Sequence, residues 1–244
     1  MDLSCLSSLC PLWCYLMLAE RLAAVEERIH AACRRAGRAR SDITLVAVTK
    51  TVSAEVAARL LELGVHDLGE SRPQELWHKA AVVPPPVRWH LIGHLQRNKI
   101  ERTLPLVECI HSVDSLRLLR ALETAAETLA RTKPLPVLLE FNVSGEASKH
   151  GFAPAEIDLL AGTLADLRNV RVEGLMTMAA YEEDPQRTRP TFAALRQLRD
   201  RLATTSGQPL PHLSMGMSND FEIAIEEGAT FVRLGSILFE GIEP

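Results

Sequence analysis

The stretch Ile43-Thr44-Leu45-Val46-Ala47-Val48-Thr49-Lys50 is a run of apolar and β-branched residues that ends in a lysine. Such a run predicts a strand buried on both faces, as in a parallel sheet that helices cover. In an α/β barrel, the carboxyl end of a strand opens onto the functional face. A partly buried Lys50 would supply a nucleophilic amine for Schiff-base chemistry there, and the simpler alternative is a side chain that extends into water.

Similar apolar runs recur along the chain and alternate with helical patterns. Strands are predicted over residues 44–48, 65–69, 88–92, 107–112, 136–143, 170–176, 212–215 and 231–234. Helices are predicted over residues 17–37, 54–63, 73–81, 115–131, 154–167, 185–204 and 220–227. Ser53 and Ser218 stand at expected N-cap positions. Because strands joined by helical crossovers are parallel, and eight of them close naturally, the sequence predicts the α/β class and a single (β/α)8 barrel of the TIM type.

The composition is that of a globular chain of one barrel's size. Of the 244 residues, 47% are apolar and 24% are charged, and the formal net charge is -4. Because no long basic tract occurs and aromatic residues are few, the pattern argues against nucleic acid or an anionic membrane as a partner. No spare apolar helix face stands out in the sequence, so we expect a monomer.

The cysteines and histidines show no metal-binding pattern. Three of the five cysteines lie in the first fourteen residues, which is neither a disulfide framework nor a complete zinc motif. His90 and His94 lie across a predicted strand end and form no helical pair, and Lys149 and His150 lie in a polar loop. We therefore predict a cytoplasmic location, no bound metal, and structural or loop roles for these residues.

The N-terminal residues have an unusual composition. Residues 9–19 are apolar enough to resemble a signal-peptide core, but Asp2 stands where a basic segment is expected, and the stretch is too short to span a bilayer. A clear amphipathic helix begins at Met17. We expect residues 1–16 to be an upstream extension without a structural role, and residues 17–244 to form the barrel.

Glycine–serine turns follow the last two predicted strands. The seventh strand runs into the sequence SMGMSND over residues 214–220, and the eighth ends at Gly235 and Ser236. Gly216 lets the backbone approach a ligand, Ser218 offers a hydroxyl, and a helix N-terminus presents N–H groups to an anion. Ordinary capping explains either turn alone. Together, the loops after strands seven and eight of a barrel commonly form one phosphate site.

Arg233 lies inside the last predicted strand, where an unpaired guanidinium is costly. Either an ion pair with a strand carboxylate, such as Glu70 or Glu140, or a planar or anionic ligand would satisfy it. A lysine on the first strand, two phosphate loops after the last strands, and this arginine together describe a pocket for pyridoxal phosphate. In such a pocket the arginine would face the ring nitrogen.

Five blocks of sequence resemble the pyridoxal phosphate homeostasis protein family, also called the proline synthetase co-transcribed family. They are LVAVTK (45–50), WHLIGHLQRNK (89–99), NVSGEASKHG (142–151), GLMTM (174–178) and SMGMSND (214–220), the last followed by Gly235. The resemblance covers residues 18–241. It implies a barrel like the N-terminal domain of alanine racemase (fold type III), with pyridoxal 5'-phosphate bound covalently to Lys50.

The resemblance also implies a set of binding residues. The cofactor-binding residues that it implies are Lys50, Ser71, Gly216, Met217, Ser218, Arg233, Gly235 and Ser236. The two loops would bind the phosphate, and Arg233 would approach the pyridine nitrogen, which weakens the cofactor as an electron sink. Ser71 departs from the family pattern, because an asparagine usually stands there and serine is shorter with fewer donors.

The function that the resemblance favours is that of a binding protein in intracellular vitamin B6 cofactor homeostasis. Such a protein buffers pyridoxal phosphate or delivers it to pyridoxal phosphate-dependent apoenzymes, and we assign no catalytic residue. The alternative is an amino acid racemase of the alanine racemase type. It would need a second base, whereas the chain ends at Pro244 and its tyrosines are Tyr15 and Tyr181. A Schiff-base aldolase acting on a phosphorylated sugar could use the same lysine and loops, and it predicts a colourless protein.

Overall fold

Eight parallel strands alternate with helices and close into a barrel. The strands of the computed structural model are β1 (Thr44–Val48), β2 (Asp67–Glu70), β3 (Arg88–Leu91), β4 (Cys109–Val113), β5 (Leu135–Glu140), β6 (Val170–Met176), β7 (His212–Ser214) and β8 (Phe231–Leu234). Each strand pairs with its neighbours in chain order, and β8 pairs with β1. The structure describes residues 11–143, 145 and 150–242, and of residues 11–13 the backbone alone. The predicted (β/α)8 barrel is confirmed.

The helices lie around this barrel. They are α1 (Pro11–Ala36), α2 (Ala54–Glu62), α3 (Pro73–Ala80), α4 (Ile100–Thr103), α5 (Leu116–Thr128), α6 (Ile157–Leu164), α7 (Arg189–Ser206), α8 (Phe221–Glu226) and α9 (Ser236–Phe239). Ser53 caps α2 as predicted, because its hydroxyl accepts an N–H of the first turn. The second predicted cap is wrong, since the N-cap of α8 is Asp220 and Ser218 lies in the loop before it. Within the described ranges, no helix is long and apolar enough to cross a membrane.

The element bounds differ from the predicted ones chiefly at chain turns and at the N-terminus. Three strand ranges agree with the prediction, and the others shift by one to three residues. The four-residue helices α4 and α9 are too short to show a helical period and were not predicted. Helix α1 begins at Pro11 rather than at Met17, and Cys14 packs against the core. The extension expected over residues 1–16 stays a prediction, because residues 1–10 lie outside the described residues.

Alternation along the strands separates two layers of side chains. On β1, Leu45 and Ala47 belong to the large apolar core between strands and helices, as do alternate residues of the other strands. A second, smaller apolar cluster of Cys109, Leu138 and Met176 lies apart from it. These residues come from β4, β5 and β6 and face the inside of the barrel, which we call the bore. Polar side chains share this bore, and they determine the geometry of the candidate site.

Candidate functional site

Lys50 lies in the turn after β1, at the carboxyl-terminal mouth of the barrel. Because β1 is paired with β2 on one side and β8 on the other, Ser71 after β2 and the turn at residues 235–236 after β8 flank this lysine. The side chain of Lys50 is exposed rather than partly buried. Among the described residues it has no hydrogen-bond or ion-pair partner. Its amine is therefore accessible from solvent.

The buried lysine at this end of the barrel is Lys79, which was not predicted. Its Nζ lies 2.6 Å from Oε1 of Glu70 and donates to the carbonyl of Thr49, also at 2.6 Å. The hydroxyl of Thr49 donates to the same carboxylate oxygen at 2.6 Å. All three side chains are buried. Helix α3 is thus tied to the ends of β1 and β2, and the residue that precedes Lys50 is held in place.

Backbone N–H groups converge in the loops after β7 and β8. The N–H groups of Gly235 and Ile237 both donate to the hydroxyl oxygen of Ser218, each at 3.3 Å. The loop of Ser218 turns at Gly216, whose φ of +91° lies in the left-handed region that favours glycine. A Cβ at Gly216 would lie 2.6 Å from the Cβ of Ala224, so a larger residue would displace α8.

The structure also places the other predicted binding positions near these loops. The N–H of Met217 donates to the carboxylate of Asp220 at 2.7 Å and is therefore already in use. Ser236 begins α9 and is exposed. Ser71 is half-buried, and its backbone lies directly against Gly93, where an added Cβ would lie 2.3 Å from the Ser71 carbonyl oxygen. Gly235 and Ile237 thus present converging N–H groups, and the binding roles predicted for Met217, Ser236 and Ser71 stay predictions.

Arg233 is buried in the bore at the base of these loops. It donates to the hydroxyl oxygen of Ser214 and, at 3.0 Å, to the carbonyl of Thr177. Neither of the ion pairs considered from sequence forms within the described residues, since Glu70 binds a lysine and Glu140 acts on Arg233 at longer range. Burial lowers the pKa of Arg233 to about 10, while the negative charges of Glu140 and Asp220 oppose the shift. The guanidinium therefore remains a cation at neutral pH.

A chain of hydrogen bonds continues from Arg233 through the bore to the opposite end of the barrel. Ser214 Oγ lies 2.8 Å from Nδ1 of His111. Nε2 of His111 lies 3.0 Å from Nδ1 of His90. Nε2 of His90 in turn lies 3.0 Å from Oδ1 of Asp67, at the start of β2. This series of hydrogen bonds thus joins the candidate site to the amino-terminal end of the barrel.

The proton positions in this series of hydrogen bonds can be assigned from Asp67, where the series ends. Burial alone would raise the pKa of Asp67, but hydrogen bonds from His90 and Arg88 outweigh it and lower the pKa to about 2. Asp67 is therefore ionised and can only accept, so Nε2 of His90 carries a proton, and a neutral His90 accepts at Nδ1. His111 then donates through Nε2, and its Nδ1 accepts from the Ser214 hydroxyl. Burial lowers the pKa of His111 well below its usual value, and the imidazole stays neutral.

The sequence pattern singled out Arg233 and His90 but not His111 and Ser214, the polar residues that lie between them in the bore, although a signal was present for His111. His111 lies two residues after Cys109, and this spacing places both on one face of β4. Ser214 lies where the predicted strand over residues 212–215 overlaps the loop sequence SMGMSND, and the pattern predicts no separate role for it. Lys149, for which a loop role was predicted, lies outside the described residues.

The donors and charges at the mouth fit pyridoxal phosphate. Two N–H groups that already converge on one oxygen suit a phosphate oxygen, which is a stronger acceptor than a hydroxyl. Of the five N–H groups of Arg233, three are not used in its bonds to Ser214 and Thr177. Lys50 would supply the amine, and Arg233 would donate to the ring nitrogen.

The sequence matches one family profile and several named relatives over most of its length. The sequence profile of the alanine racemase N-terminal domain matches residues 21–243. The pyridoxal phosphate homeostasis protein of Aquifex aeolicus is 44% identical over 221 residues, which cover 90% of this chain and 96% of that protein. The protein of the same name from Pseudomonas aeruginosa is 40% identical, over 91% of this chain and 94% of its own length.

Several solved structures resemble this chain over most of its length. An unknown protein from Bifidobacterium adolescentis has a TM-score of 0.87 at 36% identity, over 96% of this chain and 98% of that one. PipY of Synechococcus elongatus, with PLP bound, has a TM-score of 0.78 at 32% identity, over 91% and 99%. Alanine racemase of Clostridium difficile shares the fold alone, with a TM-score of 0.73 at 17% identity over 91% of this chain and 57% of its own. The chain therefore belongs to the family of pyridoxal phosphate homeostasis proteins, whose barrel has the fold of the alanine racemase N-terminal domain.

Proposed function

We propose that this chain binds pyridoxal 5'-phosphate covalently on Lys50 and serves intracellular vitamin B6 homeostasis as a carrier of the cofactor. The observation that carries the proposal is that three groups able to bind the cofactor lie together at the carboxyl-terminal mouth of the barrel, around β1, β7 and β8. These are the accessible amine of Lys50, the N–H groups that converge on Ser218, and the buried cation of Arg233. The relative PipY, which is described with PLP bound, supports the same ligand.

The residues at the mouth divide the work of binding. Pyridoxal phosphate supplies an aldehyde, to which a lysine amine bonds reversibly with loss of one water. The tie from Lys79 to the carbonyl of Thr49 fixes the turn that carries Lys50. The loops after β7 and β8 would orient the phosphate. Arg233 would donate to the ring nitrogen and leave it unprotonated, which disfavours reactions that need a strongly stabilised carbanion.

A carrier is favoured over a racemase. The relatives are named homeostasis proteins rather than enzymes. A racemase of this fold needs a second positioned acid–base group, and Tyr181, a candidate for it, is 81% exposed. We propose a cytoplasmic monomer that gives its cofactor to pyridoxal phosphate-dependent apoenzymes. An accessible amine and a reversible bond suit such a transfer.

Trapping the bound cofactor tests the site. The protein is incubated with pyridoxal phosphate, reduced with borohydride and digested, and the labelled peptide is identified by mass spectrometry. We expect a yellow protein, one label per chain, and the label on Lys50. Lys133→Ala, which removes an exposed lysine before β5, is the matched control and should be labelled like the wild type, whereas Lys50→Ala should not. A colourless protein, or a label that persists in Lys50→Ala, contradicts the proposed site.

Two further measurements separate the carrier from the racemase. The loaded protein is mixed with an apoenzyme that needs pyridoxal phosphate, and recovery of that enzyme's activity is followed. In parallel, the loaded protein is incubated with a panel of L-amino acids, and formation of D-isomers is measured. We expect transfer without racemisation. Sustained turnover that Lys50→Ala abolishes would establish the racemase instead.

A further inference from the structure

A second group of chemically reactive side chains lies at the rim of the barrel mouth. His94 follows β3, Asp114 follows β4, and His150 follows β5. Each offers one ligand atom, and the three atoms lie within 4.8 Å of one another. The three residues are spread over 57 positions of the chain, so that sequence spacing gave no sign of the group. We call it the rim cluster.

The rim cluster is held in place from several sides. Nδ1 of His94 lies 2.9 Å from Oδ2 of Asp114, while Oδ1 of Asp114 accepts from the hydroxyl of Ser115 at 3.1 Å. The ring of His150 stacks on that of His94, with centroids 5.2 Å apart and planes at 24°. The residue after His150 is clamped, because a Cβ on Gly151 would lie 2.8 Å from the carbonyl oxygen of Glu140. The backbone at His150 is thus fixed to the end of β5.

We propose that His94, Asp114 and His150 bind one divalent transition-metal ion, of the zinc or cobalt type. Two imidazoles and one carboxylate form a ligand set of intermediate softness. Such a set binds zinc or cobalt in preference to calcium or magnesium. Asp114 brings a negative charge, and the carboxyl group of Glu140 lies near enough to interact with it electrostatically. The site does not depend on the bound cofactor, so it can be tested in its absence.

Three protein ligands leave coordination positions open to solvent or to a further ligand. A cavity of about 280 Å³ opens beside His94 and Asp114, and its lining includes Arg97 and Arg117. These two cations would oppose a bare metal ion but attract an anion bound to it. An anionic group, a carboxylate or a phosphate, is therefore the expected fourth ligand. Half of the His94 side chain is exposed, so an ion can reach the site without unfolding.

A second cluster, in the bore, is the competing candidate. His90, Cys109 and His111 also bring their ligand atoms within 4.8 Å of one another. Their imidazoles, however, are bonded to each other in the chain that supports Arg233. An ion there would add positive charge near that buried guanidinium. It would also need the thiolate of Cys109, and burial raises the pKa of this thiol well above its usual value. The rim cluster needs no thiolate, and its two imidazoles are stacked rather than hydrogen-bonded to each other.

Cobalt titration of the full chain, freed of metal by a chelator and without cofactor, tests the proposal. We expect one Co²⁺ per chain with visible absorption bands and no near-ultraviolet thiolate band. His94→Ala and His150→Ala should each weaken binding at least about tenfold, since even second-shell changes cost that much in metal sites. His30→Ala removes an exposed histidine of α1 and should leave binding unchanged.

Two variants separate metal binding from other roles of the same residues. Asp114→Asn keeps the hydrogen bonds to its neighbours but loses the anionic ligand, so we expect it to bind Co²⁺ at least about tenfold more weakly while unfolding at the same urea concentration. Binding in this variant at wild-type strength would overturn the proposal. A thiolate band that disappears in Cys109→Ser would also overturn it, because the ion would then occupy the bore. If the wild-type protein binds Co²⁺ no more tightly than His94→Ala does, the proposal is also overturned. The rim cluster would then be a hydrogen-bonded group and not a metal site.

Discussion

Replacing Lys79 by methionine removes the cation from the buried pair beside the turn of Lys50. Methionine keeps the length and apolar character of the side chain, so the change is chiefly one of charge. Glu70 is fully buried, and its Oε2 has no hydrogen-bond partner among the described residues. In Lys79→Met its carboxylate keeps one bond, from the hydroxyl of Thr49. Breaking a buried pair in this way costs about 3–5 kcal/mol, because a charge is left uncompensated.

The double variant Glu70→Gln/Lys79→Met separates the cost of the unpaired charge from that of the lost packing and hydrogen bonds. It holds no buried charge at this site, and the amide of the glutamine can still accept from the Thr49 hydroxyl. The remaining loss is the hydrogen bond to the Thr49 carbonyl and imperfect packing, about 1–2 kcal/mol. We therefore expect the double variant to be more stable than Lys79→Met by about 2 kcal/mol.

Urea unfolding of the cofactor-free protein, followed by circular dichroism, measures both free energies of unfolding. Lys133→Met, at an exposed position, is the control and should change the free energy of unfolding by less than about 0.5 kcal/mol. A loss of less than about 1 kcal/mol in Lys79→Met would contradict the cost of an uncompensated buried charge. A double variant less stable than Lys79→Met would also contradict it, because the unpaired charge would then not be the cause.

Three other predictions concern the bore and the barrel wall. Ser214→Ala should lower the free energy of unfolding by about 2–4 kcal/mol, measured in urea, since it leaves a buried guanidinium N–H and an imidazole nitrogen without their partner. Gly174→Ala should cost more than about 3 kcal/mol, because its Cβ would lie 1.9 Å from the carbonyl oxygen of His212, whereas Gly162→Ala, in open space on α6, should be neutral or stabilising. Asp67 has a pKa lowered from 3.8 to about 2 in the folded state, so its contribution to stability is present above about pH 4 and is lost as the pH falls towards 2. Unfolding of Asp67→Asn should accordingly depend less on pH across that range, and an unchanged pH dependence would contradict the assigned shift.

The barrel was largely predictable because its strands are buried on both faces. Continuous apolar runs such as residues 44–48 differ from the helical pattern around them, and the strand observed there has the predicted bounds. Bounds were less accurate where a turn competes with the strand. The run at residues 65–69 begins two residues before β2, since the N–H of Val65 bonds back to the carbonyl of Leu60 at the end of α2. Such competition depends on the neighbouring element and not on composition.

The candidate site was predicted in part. The positions of Lys50 and of the loops after β7 and β8 follow from the order of strands, because parallel strands bring their carboxyl ends to one mouth. The partner of Arg233 did not follow, since a carboxylate, a ligand or a hydroxyl would each satisfy a guanidinium. The burial of Lys79 could not be found either. Its position on a helix face looks like that of any surface lysine until α3 is packed against β1 and β2.

The sequence by itself determined the eight strands, their parallel order, and the placing of Lys50 and of the loops after β7 and β8 at one mouth. Local periodicity carries that information, since a strand that is buried on both faces must be apolar along its length. The tertiary structure alone decided which lysine is accessible and which is buried, and which polar groups face one another across the bore. His111 and Ser214 are 103 residues apart, and His94 and His150 are on different loops. Their contacts exist because closing the barrel brings β4 opposite β7 and gathers the strand ends, and no pattern within a single strand records that closure.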